Sequence, residues 1–132
     1  MAKLTSQQAN NLADYFSDIA QVIEDYRNQN FGTLSESQNQ EIKDLHLTIL
    51  NYADELYTLS ATLTLEMDNV QTSLSSIGDV TNQMKYTFKA LQNIQKAINI
   101  ASSVVTLGAA ILSKNPQTIS NSIDGLLGTW NA

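Results

Sequence analysis

The chain reads as an all-α protein, an antiparallel helical bundle forming one domain over residues 1–132, with one long helical hairpin at its centre. Three observations predict this. Apolar residues recur at spacings of three and four through most of the chain, the period of an amphipathic helix. Helix-stopping punctuation is scarce, with one proline and five isolated glycines. The apolar fraction is 42%, enough for a core in spite of a net charge of −6.

The N-terminal helix spans about 5–31. Thr5 or Ser6 is its N-cap, and Leu12, Tyr15, Phe16, Ile19, Val22, Ile23 and Tyr26 make its apolar face. Gly32 marks its stop. The second helix, about 36–77, is capped by Ser35 or Ser37. Its seam runs Ile42, Leu45, Ile49, Tyr52, Leu56, Leu59, Leu63, Met67, Val70, Leu74, Ile77, with a four-residue stutter after Leu63. Such a helix would be ~60 Å long at 1.5 Å per residue. Gly78 is the expected hairpin turn, and a third helix follows over about 79–114 with Asp79 as its cap. Asn115-Pro116 pairs a good N-cap with a proline at the first helical position, opening a short C-terminal helix over about 116–127 that frays at Gly128.

Short connections make successive helices antiparallel. A turn at Gly78 would bring Lys89 of the basic second half against the acidic Glu66–Asp68 stretch. Residues 1–78 hold three Lys/Arg against eleven Asp/Glu, and 79–132 hold four Lys against two Asp. The flanking helices are too short to cover the whole hairpin, so about 62–94 is expected to stand as two helices with no third. Leu63, Leu65, Met67, Val70, Leu74, Ile77, Met84, Tyr86, Phe88 and Leu91 then form a candidate interface, most simply with a second copy of the chain.

The segment Ala97–Leu112 carries no charge. Asn99, Ser102, Ser103 and Thr106 make a narrow polar stripe on it, and Ile98, Ile100, Val104, Val105, Leu107, Ile111 and Leu112 occupy the remaining arc. In pattern it resembles the membrane-inserting helices of α-helical pore-forming toxins. The uncharged stretch is shorter than the roughly 20 residues a bilayer requires, so burial between helices is the expectation for the resting protein.

Several chemistries lack their residues. There is no cysteine, which excludes disulfides and thiolate catalysis. The one histidine, His46, falls in a second stripe of that helix with Leu50, Ala53 and Tyr57, at the expected boundary with the first helix and without an evident orienting acid. Neither a metal site, a nucleophile–base pair nor a phosphate-cradling glycine loop can be assembled, so no cofactor and no catalytic residue is expected. The acidic pI of about 4.4 argues against binding nucleic acid through phosphates. No signal peptide and no full-length membrane span are read from the sequence, which suggests a cytoplasmic protein or one exported by a leaderless route. The expected function is a non-enzymatic protein–protein interaction or assembly module that self-associates through the long hairpin. The alternatives are a membrane-active helical protein or pore subunit using 97–112, and an acidic immunity- or inhibitor-type protein covering a basic partner.

Overall fold

In the computed structural model, which describes residues 2–61 and 65–132, five α-helices and one short 3₁₀ turn carry most of the chain. Helix α1, Ser6–Gln29, opens on a capping box in which the Thr5 hydroxyl accepts from the Gln8 N–H while the Gln8 side chain accepts from the Thr5 N–H. Helix α2, Glu36–Ser60, opens on the same device, built from Ser35 and Gln38. The stop of α1 is not Gly32. The helix ends at Gln29, and the Asn30 carbonyl accepts from the N–H groups of Thr33 and Leu34. No glycine has a positive φ.

The all-α bundle is observed, but the long central hairpin is not. Helix α2 ends at Ser60, and strand β2, Glu66–Met67, pairs antiparallel with strand β1, Ala2–Lys3. The Leu4 N–H extends this pairing by donating to the Leu65 carbonyl at 2.9 Å. The physical reason is legible in hindsight: from Thr58 to Met67 the sequence alternates strictly between polar and apolar residues. Period two is the pattern of a strand, and the threonines at 58, 62 and 64 have low helix propensity.

Helix α3, Val70–Thr87, then runs straight through Gly78. The glycine serves packing. A β-carbon at Gly78 would lie 2.8 Å from the Tyr15 hydroxyl and 2.9 Å from Cζ, so its absence lets α3 approach α1. The turn expected at 78 occurs instead after Thr87, through a 3₁₀ turn at Phe88–Ala90 and extended backbone at Leu91. Tyr26 of α1 holds this turn. Its ring meets Phe88 edge-on at 5.1 Å, and its hydroxyl donates to the Leu91 carbonyl at 3.1 Å. Burial raises the Tyr26 phenol pKa.

Helix α4, Ile94–Ser113, is capped by the Asn93 side chain, and α5, Pro116–Asn131, by that of Asn115 with Pro116 in the first turn. Helix α5 is longer than the sequence suggests, continuing past Gly128. Trp130 near its end donates to the Gln83 side chain on α3 at 2.6 Å, and Lys96 of α4 donates to the Ala132 carbonyl.

Helix α1 packs against α2 and α3, α2 also meets α4, and α5 lies against both α4 and α3, so the five close into a ring. Phe16, Ile23, Ile49, Leu56, Met84, Phe88, Ile100, Val104 and Leu126 are among the side chains buried within it. Lys85 of α3 pairs with Asp18 of α1 at 2.8 Å, so the basic second half does meet the acidic first half, on a different helix from the one expected.

Candidate interaction surface

The expected two-helix end does not form, and the residues assigned to it are mostly core. Leu65, Met67, Ile77, Met84 and Phe88 are at most 2% exposed and Leu74 7%. Val70 and Leu91 are partly buried against the same cluster. Tyr86 is the exception at 78% exposed, and Leu63 lies outside the described residues. With α2 ending at Ser60, α3 beginning at Val70 and a turn at 88–93, α3 lies beside α1 and α5, and the seam is covered from within the molecule.

The uncharged segment is buried as expected. Ile98, Ile100, Val104, Leu107 and Ile111 are at most 2% exposed, and Val105 and Leu112 pack partly buried against the core. Helix α4 is nonetheless longer than its uncharged stretch. At 20 residues with a mean hydropathy of 1.4, it is long and apolar enough by length and composition to cross a membrane. Gly108 lets it sit close to α2, since a β-carbon there would meet the Tyr52 ring, 2.9 Å from Cε2.

The polar stripe of α4 faces α5 across a cleft of about 390 Å³ lined by Ser102, Ser103, Thr106, Thr118, Asn121, Ser122, Gly125 and Leu126. Several hydroxyls around it are engaged by backbone. Ser103 donates to the Asn99 carbonyl, Thr106 to that of Ser102, and Thr129 to that of Gly125. These back-bonds satisfy the hydroxyls within their own helices.

An acid does face His46, contrary to expectation. Antiparallel packing of α1 on α2 brings the Glu24 carboxylate to 3.4 Å from Nε2, while Nδ1 lies 2.9 Å from the Ala20 carbonyl. A carbonyl can only accept, so the hydrogen bond places a proton on Nδ1. Glu24 also takes Arg27 Nη2 at 2.5 Å, and Arg27 Nη1 donates to Asn39 at 3.2 Å. Sequence separation hid Glu24 from His46. The cluster ties α1 to α2 and presents no nucleophile to the imidazole. No group of three or more potential metal ligands occurs among the described residues.

What remains open is the outward side of α2. Of the second stripe, Ala53 is buried and His46 partly so beneath α1, but Leu50 and Tyr57 stay 36% and 39% exposed. Leu47 beside them is 44% exposed. At spacings of three and seven these three fall on one face of the helix, with Lys43 and Asp54 exposed in the same line. The Tyr57 hydroxyl donates to the Asp14 carboxylate of α1. That bond pushes the phenol pKa up to about 12, helped by partial desolvation and by the charges of Asp14, Asp18 and Asp54. The ring is thus held in place at the edge of the stripe.

No protein-family model, curated protein or solved structure matches this chain.

Proposed function

We propose that the protein is a helical protein–protein interaction module that associates with itself through the outward face of α2, and that it is not an enzyme. One observation carries the reading: Leu47, Leu50 and Tyr57 lie exposed on one face of α2, outside an otherwise well-filled bundle. Isolated exposed apolar residues need no explanation, but three in line at coiled-coil spacing make half of a helix–helix contact. The two other large apolar residues left exposed among the described residues, Phe31 and Tyr86, are not on this face.

Membrane insertion through α4 is the less favoured reading, because its apolar side chains are spent on the ring and insertion would require the bundle to open. Sedimentation equilibrium over roughly 1–100 μM, a range that brackets weak and standard-sized interfaces, tests the proposal. The wild type should dimerise, and Leu47→Glu/Leu50→Glu should be monomeric with an unchanged far-ultraviolet spectrum. A wild type that stays monomeric throughout, or a double variant that associates equally well, overturns it.

A further inference from the structure

The exposed stripe of α2 has the same spacing in both directions. Its positions are Gln40, Lys43, Leu47, Leu50, Asp54 and Tyr57, and all six are exposed. The steps are three, four, three, four and three. Reversal maps leucine onto leucine, lysine onto aspartate and glutamine onto tyrosine. An isologous two-fold contact requires this kind of self-matching, because each copy offers the same patch to the other.

Resting on the reading above that two copies meet at α2, we propose that they pair antiparallel about a two-fold axis level with the Thr48–Ile49 peptide. Leu47 then faces Leu50 of the second copy, Lys43 faces Asp54, and Gln40 faces Tyr57, each contact occurring twice.

Charge selects this register. Among the described residues neither Lys43 nor Asp54 has an ion pair within the chain. Three and four residues away along the helix, Lys43 meets Asn39, Gln40, His46 and Leu47, and Asp54 meets Leu50, Asn51, Tyr57 and Thr58, none of them acidic or basic in the complementary sense. Parallel in-register pairing would set Lys43 on Lys43 and Asp54 on Asp54. An antiparallel slip by one heptad would set Leu50 on Asp54 and leave Lys43 opposite Ala61. Of these three arrangements only the proposed one satisfies both the apolar and the charged positions, and like charges across such a seam are what natural helix pairs use to reject wrong registers.

The experiment uses Lys43→Asp and Asp54→Lys as separate full-length chains, each alone and then mixed in equal amounts, by sedimentation equilibrium. Alone, each variant sets like charges together twice per dimer and should associate about tenfold more weakly than wild type. In the mixture both crossing contacts again join opposite charges, so a heterodimer should recover near wild-type affinity. Far-ultraviolet spectra confirm that the variants are folded. Lys43→Glu with Asp54→Arg gives the same comparison with other side chains. If the wild type dimerises but the mixture binds no tighter than the single variants, the register is wrong and the α2 interface stands. If the wild type does not dimerise, the self-association reading falls and takes the register with it.

Discussion

Replacing Gly108 by alanine sets two known effects against each other at the contact between α4 and α2. Helix preference favours alanine over glycine by ~1 kcal/mol. Packing opposes it, because the new methyl would lie 2.9 Å from Tyr52 Cε2 and 3.0 Å from Cγ, with Cδ2 nearer still. Overfilling a packed site typically costs ~1–3 kcal/mol. The overlap reaches Cγ at the root of the ring, so the side chain cannot escape by moving its tip and the backbones must part. We expect the packing effect to win, leaving Gly108→Ala destabilised by up to about 2 kcal/mol. For a domain of this size that lowers Tm by up to roughly 10 °C. Thermal unfolding followed by circular dichroism, at one protein concentration, measures it in wild-type and Tyr52→Ala backgrounds. With the ring removed, the same alanine should stabilise by its helix preference, so the sign reverses between backgrounds. A rise in Tm in the wild-type background, or the same shift in both, would show that close approach to Tyr52 is not why glycine stands at 108.

Tyr57 should ionise late, near pH 12, and Tyr57→Phe should remove that late step from the ultraviolet tyrosinate titration. Its folded pKa is raised above the unfolded value near 10, so its contribution to stability is complete below pH 10 and is lost as pH rises towards 12. A wild-type titration complete by pH 11 refutes the bond to Asp14. Val104 is fully buried, and Val104→Asp should cost on the order of 3 kcal/mol in urea unfolding, with Val105→Asp, at a partly buried position, costing less. An unchanged midpoint for Val104→Asp would mean that α4 does not pack as described.

What the sequence made legible was the local physics of helix formation. The caps at Thr5, Ser35 and Asn115-Pro116 stand where the residue types place them, and each α1 face residue from Leu12 to Tyr26 is buried or packed on the core. One error comes from reading a glycine by its backbone freedom when its lack of a side chain is the point. Gly78 was assigned a turn, yet it lies inside α3 because Tyr15 of another helix needs the space. No local pattern reports a neighbour 63 positions away in the chain. The end of α2 at Ser60 and the strand at Glu66–Met67 did have a local signal, the polar–apolar alternation from Thr58 to Met67, but its apolar members also satisfy a helical seam at every third or fourth residue. Strand pairing decided between the two, and its partner was the extreme N-terminus at Ala2–Lys3. His46 and Glu24 show the same limit, since the antiparallel packing that joins them is a tertiary fact.

The observed fold shifts the candidate interface from α3 to α2. Apolar side chains that a chain cannot cover by itself call for a partner. In a long hairpin those would be Leu74 and Phe88. In the observed ring they are not, because α1 and α5 already cover α3. On α2 the large apolar residues that stay exposed are Leu47, Leu50 and Tyr57, which a one-sided reading of the helix would assign to solvent or to α1. The inward side of α2 is fully occupied by Ile42, Ile49, Ala53 and Leu56, so a second apolar stripe is not needed to fold the helix. Leucine at two exposed positions of a helix otherwise rich in Gln, Asn, Asp and Glu adds hydrophobic surface that water disfavours by about 25 cal/mol per Å². In the proposed dimer a second copy of α2 would remove that surface from water, and its Lys43 and Asp54 would meet the charges of the first.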